Sequence, residues 1–216
     1  MRLNADSRLL NLAEVLAFCA LVGGFIWQLQ SAYKYSWLIF PAWLIASFLF
    51  HKDTPKTLGW RADNFWSATK QSAVFFVPCV AALCIVGISL GGLSRPTEHL
   101  VVPQRFFGYM SFCLLQQVGL NSYTTNRLLT ATDSSIRASL ISGAIFGALH
   151  CPNPVLIPIT WFGGTVMSWL FARERNILPL SFFQGLLGTL IWWAFPAAWH
   201  HGMRVGPGFY SFHQRW

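Results

Sequence analysis

Long apolar stretches alternate along the chain with short segments that carry charge, proline or glycine. Stretches of this kind predict helices that cross the roughly 30 Å hydrocarbon core of a membrane. We therefore expect an all-α, polytopic transmembrane helical bundle that forms a single integral membrane domain over residues 1–216. Its spans, about seven in number, are predicted at 9–29, 36–50, 65–92, 106–127, 138–150, 154–172 and 177–199.

Composition supports this fold class and narrows the possible partners. The chain is 54% apolar and only 10% charged, which is typical of proteins surrounded by membrane lipids rather than of soluble domains. The net charge of +8 comes from Lys and Arg residues scattered through the loops, so it does not indicate a nucleic-acid-binding face. The five cysteines have no paired spacing, which favours buried thiols over a disulfide framework.

Basic residues are divided unequally between the two sides of a seven-span chain, and this predicts its orientation. Cytoplasmic loops are enriched in Lys and Arg, so we expect a cytoplasmic N-terminus and a tail outside after Trp199. An eighth span or a re-entrant segment would reverse the placement of the tail. Glu14, the acid inside a predicted span, is expected to snorkel to the cytoplasmic interface. The basic residues on the predicted cytoplasmic side are Arg2, Arg8, Lys52, Lys56, Arg61, Lys70, Arg127, Arg137, Arg173 and Arg175.

Four polar side chains fall inside the apolar stretches: Gln116, Gln117, His150 and Gln184. Counted from the basic residue at the predicted cytoplasmic end of each span, Gln116, His150 and Gln184 lie 11, 13 and 9 residues in. These separations correspond to about 17, 20 and 14 Å of helix, so all three side chains are expected near the middle of the membrane. Because unpaired polar groups in hydrocarbon are costly, such residues indicate a site of binding or catalysis.

A shared helix face and several glycines predict that these side chains meet in a tightly packed pocket. Asn121 lies four residues after Gln117 and Thr124 lies seven after it, so the three share a face directed at neighbouring helices. Small residues let helices approach closely. The glycines in the last three spans are Gly143 and Gly147, Gly163 and Gly164, and Gly185 and Gly188.

Three segments between residues 106 and 199, the motif-bearing core, form an ordered pattern. The segment 116–128 begins Gln116-Gln117 and ends Asn126-Arg127-Leu128; the others are Phe146 with His150, and Leu178-Pro179 followed by Gln184 and Gly188. The pattern resembles the CAAX prenyl protease and bacteriocin-processing family (type II CAAX endopeptidase-like, Abi) of intramembrane proteases, whose motifs read Glu-Glu-x-x-x-Arg, Phe-x-x-x-His, and His with Asn four residues later. Leu58-Gly59-Trp60-Arg61 also resembles the Leu-Gly-x-Arg segment of this family.

The chain departs from the family pattern at the positions that carry the chemistry. Gln116 and Gln117 replace the paired glutamates, Asn121 the arginine, Gln184 the histidine and Gly188 the asparagine. An amide cannot take a proton from an attacking water as a carboxylate can. One imidazole among neutral amides does not make a metal site, so neither a metal nor a cofactor is expected. Of the motif residues, His150 alone keeps acid–base capacity.

Two functions remain open from the sequence, and with them the question of whether the chain is an enzyme. The first is a family member with degenerate catalytic motifs that binds a membrane peptide, a lipidated segment or a partner complex in an accessory or assembly role. The second is an active intramembrane endopeptidase or other hydrolase in which His150, Gln116 and Gln117 are catalytic. In both functions, the ligand is expected to contact Asn121, Phe146 and Gln184. The resemblance implies the bacterial inner (plasma) membrane, and a transporter is disfavoured because the spans lack paired intramembrane charges.

Each of these polar residues also has a purely structural interpretation. Gln116 and Gln117 could form hydrogen bonds that only pack helices together. His150 could be a residue at a helix end that is hydrogen-bonded to the backbone. A Cys151–His150 nucleophile pair is disfavoured because sequence neighbours on a helix diverge. The turn-rich tail at 203–210 could fold back over the mouth of the pocket, contact a partner or be an ordinary terminus.

Overall fold

The computed structural model describes residues 5–92 and 103–212, and all regular structure in these ranges is helical. This confirms the predicted all-α fold class. The helices are α1 (Ala5–Gly24, continued by the π turn Phe25–Leu29 and by Gln30–Ala32), α2 (Ile39–Phe50, after the 3-10 turn Ser36–Leu38), α3 (Phe65–Ser89), α4 (Pro103–Gln117), a π segment (Val118–Thr125), α5 (Asn126–Thr132), α6 (Ser135–Ala148), α7 (Leu156–Glu174), α8 (Ile177–Ala194), α9 (Ala197–His200) and α10 (Pro207–Tyr210).

Three of the predicted spans meet the full criterion of length and apolarity for crossing a membrane. They are Ser7–Ala32, Phe65–Ser89 and Ile177–Ala194, and two shorter apolar helices cover Ser36–Phe50 and Ser135–Ala148. The predicted spans 106–127 and 154–172 correspond to α4 with the π segment and to α7. The chain is therefore an integral membrane protein, while its cytoplasmic N-terminus stays a prediction.

The last predicted span ends earlier than expected. It was placed at 177–199, but α8 ends at Ala194 and Phe195 has extended backbone (φ −102°, ψ 147°). Pro196 explains the difference, since a proline disfavours helical backbone in the residue before it and has no N–H to continue the helix. The chain then turns into α9, which brings the tail back toward the bundle.

The core lies where α3, α7 and α8 meet. Its buried side chains are Phe76, Met167, Leu170, Phe171, Ile177, Leu180 and Phe183. The Asn176 side chain caps α8 by accepting from the Leu178 N–H and donates to the backbone oxygen of Arg61. This polar connection fixes the start of α8, and with it Gln184, against the segment that precedes α3.

Close packing of α6 on α7 depends on glycine, as the sequence predicted. A β-carbon on Gly143 would lie 2.0 Å from Thr165 Oγ1 and 2.6 Å from the Trp161 carbonyl oxygen, and one on Gly147 would lie 2.8 Å from Trp161 Cβ. Gly163 differs, because a β-carbon at that position would have nothing within 4 Å. That glycine therefore leaves space beside α7 rather than permitting contact.

The sequence predicts that Glu14 snorkels to the cytoplasmic interface, and the structure adds polar partners for its carboxylate. Its side chain is only 15% exposed, and its carboxylate is bound inside the bundle. Ser47 Oγ donates to Glu14 Oε2 at 2.8 Å, and His51 Nε2 lies 2.8 Å from Glu14 Oε1. Arg127 Nε is 3.4 Å from Glu14 Oε2. The reason is tertiary: α2 and α5 place polar partners against this turn of α1.

Candidate functional site

Three glutamines and one asparagine form a continuous chain of side-chain hydrogen bonds inside the bundle. Gln184 Nε2 donates to Gln116 Oε1 at 2.6 Å, and Gln117 Nε2 donates to Gln184 Oε1 at 2.6 Å. Asn121 Nδ2 donates to Gln117 Oε1 at 2.5 Å. The structure thus brings together the amides of the first and third motifs, although Gln117 and Gln184 are 67 residues apart in sequence.

Hydroxyl groups continue this chain beyond Asn121. Thr125 Oγ1 lies 3.0 Å from Asn121 Oδ1, 2.9 Å from Ser142 Oγ and 3.0 Å from Ser168 Oγ. Thr125, Ser142 and Ser168 are fully buried. Buried polar groups are stable only when they are hydrogen-bonded, and here the π segment, α6 and α7 each supply one hydroxyl. We name the run Gln116–Gln184–Gln117–Asn121–Thr125 the amide chain.

The π segment decides which threonine joins the amide chain. Within it, the Thr124 and Thr125 hydroxyls bond the carbonyls of Gly119 and Leu120, five residues earlier. A π turn is wider than an α turn, so the residue that continues the Gln117–Asn121 face is Thr125 and not Thr124. Thr124 is buried, as a face directed at neighbouring helices requires, but Thr125 is the threonine that bonds Asn121.

The thioether of Met167 determines which side-chain atoms of the amide chain donate hydrogen bonds and which accept them. Gln117 Nε2 lies 3.1 Å from Met167 Sδ, and a thioether sulfur can only accept a hydrogen bond. Gln117 therefore turns its nitrogen toward Met167 and Gln184 and its oxygen toward Asn121. The same direction carries through Gln184, whose nitrogen bonds the oxygen of Gln116. Among the residues that the structure describes, the amide nitrogen of Gln116 has no hydrogen-bond partner and ends the chain as a donor.

A cavity of about 170 Å³ begins at this end of the amide chain. Gln116, Phe146, His150 and Gln184 line it, whereas Gln117 and Asn121 are fully buried behind its wall. The predicted site residues thus divide into four that can touch a ligand and two that support them. The remaining lining residues are Tyr109, Phe112, Leu156, Ile159, Thr160, Gly163, Gly164, Met167, Leu187, Gly188, Ile191, Met203 and Val205.

His150 belongs to the same cavity but not to the amide chain. Its Nδ1 lies 2.6 Å from the carbonyl oxygen of Phe146, and its ring packs edge-on against the Phe146 ring at a centroid distance of 4.7 Å. Because a carbonyl can only accept, Nδ1 carries the proton and Nε2 is the acceptor in the neutral ring. The helix-end interpretation and the cavity-lining interpretation are therefore both true of this residue.

Gly188, where the third motif has its asparagine, faces Tyr109. A β-carbon on Gly188 would lie 2.0 Å from the Tyr109 hydroxyl oxygen and 2.9 Å from its Cζ. The Tyr109 side chain therefore fills the space that any larger residue at 188 would need. Sequence reasoning missed Tyr109 because its only signal was an aromatic ring in an apolar stretch, which is commonplace in membrane helices.

The tail closes one end of the cavity. Met203 and Val205 line it, so of the three alternatives that the sequence left open for this segment, the contacts favour the one in which it folds back over the pocket. Asn153 holds the tail: its Nδ2 donates to the backbone oxygens of His200 and Arg204 at 2.8 and 3.0 Å. Burial lowers the pKa of His200, so this histidine stays neutral over a wider pH range than a free imidazole.

Residues 98–190 match the family model that describes the Type II CAAX prenyl endopeptidase Rce1-like proteins. This part of the chain is similar to the Rce1-like family. The matched range contains every residue of the amide chain together with Phe146 and His150, so the resemblance noted in the sequence is confirmed. No curated protein and no solved structure matches the chain. In the described ranges 5–92 and 103–212, no group of three or more His, Cys, Asp or Glu side chains could hold a metal ion.

Proposed function

We propose that this Rce1-like protein binds an uncharged group of a membrane peptide, a lipidated segment or a partner protein in its cavity, as an accessory or assembly factor. The amide chain is the observation that carries this proposal. Neutral amides occupy the positions where the family motifs have acids and a histidine, and they hydrogen-bond one another from Gln116 to Thr125. Such groups maintain a shape and a polarity, but they do not exchange protons near neutral pH.

The cavity wall indicates the chemistry of the ligand. Among the described residues that line it, none is Asp, Glu, Lys or Arg. The amide nitrogen of Gln116 can donate, and Nε2 of His150 can accept. A group with one acceptor and one donor, such as a peptide amide, satisfies both. Since typical ligand pockets measure about 300–1,000 Å³, a cavity of about 170 Å³ holds one end or one side chain of a ligand.

The cellular setting is part of the same proposal. An excess of basic residues on one side predicts a cytoplasmic N-terminus, and the family resemblance favours the bacterial inner membrane. A partner that enters from the bilayer would first meet the apolar part of the wall. The polar pair formed by Gln116 and His150 would then decide which partners remain bound.

Native mass spectrometry of the tagged chain, purified from its own membrane in mild detergent, tests the binding role. We expect a bound peptide, lipidated chain or stoichiometric protein that is lost from His150→Ala and Gln116→Ala. Gln28→Ala is the matched control, because Gln28 is an exposed glutamine in the π turn that continues α1, outside the cavity. Retention of the same species by both cavity variants would exclude the cavity as the binding site.

A second function is favoured by the tautomer of His150. With Nδ1–H held by the Phe146 carbonyl, Nε2 could take a proton from a water whose oxygen attacks a peptide carbonyl, and return that proton to the leaving amine nitrogen. Gln116 would donate to the carbonyl oxygen. A prenylated or transmembrane peptide in lipid would then be cleaved, and His150→Ala would lower the rate by about 10² to 10⁴-fold. His201→Ala, in the tail, is the control, and no cleavage by the wild-type chain would exclude this function.

A further inference from the structure

Four ionisable side chains meet away from the cavity, between α1, α2 and α5. His51 Nε2 lies 2.8 Å from Glu14 Oε1. Arg127 Nη2 donates to Asp53 Oδ2 at 2.7 Å, and Arg127 Nε lies 3.4 Å from Glu14 Oε2. We call Glu14, His51, Asp53 and Arg127 the charged cluster. None of its members belongs to the amide chain or lines the cavity.

The charged cluster is largely shielded from water. Side-chain exposure is 4% for Arg127, 15% for Glu14, 12% for Asp53 and 18% for His51. Ser47 connects the charges, because its hydroxyl donates to Glu14 and lies 3.0 Å from Arg127 Nη2. Charges in such a place are costly unless they are paired, and a charge inside a membrane bundle is a functional-site candidate.

The number of charges in contact is unbalanced. Two carboxylates, Glu14 and Asp53, face one guanidinium, that of Arg127, which keeps its proton at any physiological pH. Arg175 also acts on Asp53, but only at longer range. A carboxylate can only accept, so His51 Nε2–H donates to Glu14, and Nδ1 is the ring position at which a further proton can bind. Protonated His51 balances the contact charges of the cluster.

We propose that Glu14 and His51 form a proton-binding site whose bound proton holds α2 against α1 and α5. A proton from water binds His51 Nδ1, and the resulting imidazolium pairs with the Glu14 carboxylate. Loss of that proton returns it to water and leaves the shielded cluster with an excess negative charge. The pairing that joins the helices is then weakened.

The pairing of Glu14 with His51 matters for the packing of α2, because α2 has few other polar contacts with the bundle. Trp43 of α2 makes a further polar contact, because its Nε1 donates to the Tyr123 hydroxyl at 2.9 Å. Phe40 and Phe48 add only ring contacts, with Phe18 and Phe25 of the first span and with Tyr123. Arg127 lies over the Tyr123 ring, 5.5 Å from its centroid. On its own side, the His51 ring contacts the Phe50 ring at a centroid distance of 5.1 Å, and the His51 N–H bonds the Ser47 backbone oxygen. The charged cluster is thus the main polar connection between α2 and α5.

Hydrogen–deuterium exchange of the full-length protein in detergent tests this site. The reporters are amides of residues 52 and 53, whose N–H groups bond the carbonyls of Leu49 and Phe48. We expect their protection, corrected for intrinsic exchange, to decrease between pH 5.5 and pH 8.5 by up to about tenfold per pH unit, the limit for release of one proton. His51→Gln should give low protection that no longer depends on pH, and Glu14→Gln should also abolish the dependence.

Two further variants separate a proton-binding role from a packing role. His51→Lys supplies a permanent positive charge and should keep protection at both pH values. His201→Gln, in the tail, should keep the wild-type pH dependence. A wild-type chain whose protection does not change with pH would overturn the proposal without any variant. Persistence of the pH dependence in His51→Gln would overturn it as well.

Discussion

The side-chain nitrogen of Gln117 lies 3.1 Å from the sulfur of Met167. Both residues are buried, with exposures of 0% and 4%, so neither can turn to water instead. Since the sulfur only accepts, this contact orients the amide of Gln117 and, through Gln184, the amide of Gln116 at the cavity. One apolar residue of α7 thus decides that the cavity presents a donor and not an acceptor.

Removal of the Gln117 amide should destabilise the fold. Gln117→Leu leaves Gln184 Oε1 and Asn121 Nδ2 without their partner, and each unsatisfied buried group costs about 1–3 kcal/mol. We expect the free energy of unfolding in detergent to fall by about 2–6 kcal/mol. Met167→Leu keeps the volume and loses only the weak sulfur contact, so its cost should stay below about 1.5 kcal/mol. Equal losses in the two variants would contradict a structural role for the amide chain.

Gly143→Ala should weaken the packing of α6 on α7. The new methyl group would lie 2.0 Å from Thr165 Oγ1 and 2.7 Å from the Thr165 backbone nitrogen, and backbone cannot move aside easily. Overpacking of this kind costs about 1–3 kcal/mol, which thermal unfolding in detergent can measure. Gly163→Ala is the matched control on the facing helix and should be near neutral, because nothing lies within 4 Å.

Gly188 and Tyr109 should be energetically coupled. Gly188→Ala places a methyl group 2.0 Å from the Tyr109 hydroxyl oxygen, so a loss of about 1–3 kcal/mol is expected. Tyr109→Phe removes that oxygen, and the double variant should lose less stability than the sum of the single variants. A double-mutant cycle of unfolding free energies measures the difference. Additive losses would show that the hydroxyl does not limit the space at position 188.

Asn153 should hold the tail over the cavity. Asn153→Asp keeps an acceptor for the Val155 and Leu156 N–H groups but cannot donate to the carbonyls of His200 and Arg204. Trypsin should therefore cleave after Arg204 faster in Asn153→Asp than in wild type. Asn153→Ala should add a loss of stability, since it also removes the acceptor at the start of α7. Unchanged cleavage in both variants would mean that other contacts hold the tail.

At the motif positions, the sequence predicted which residues belong to the site but not how each side chain is oriented. The sequence predicted that Gln116 and Gln117 both line the pocket, although adjacent helical residues point in different directions. The structure places Gln116 at the cavity and Gln117 behind it. An α-helical period placed Thr124 on the face of Gln117 and Asn121, but in the π segment it is Thr125 that bonds the Asn121 side chain, because polarity alone does not predict local hydrogen-bond geometry.

The sequence by itself determined the all-helical membrane fold and the approximate helix bounds, because these follow from hydropathy and proline. It also determined the family resemblance and the loss of acids from the motif positions, because these follow from residue identity. Only the tertiary structure decided the direction of the amide chain, the space that Tyr109 takes beside Gly188, the tail over the cavity and the binding of Glu14 by Ser47 and His51. Each of these depends on which side chains of distant helices come into contact, and one helix's pattern of polar and apolar residues does not specify its neighbour.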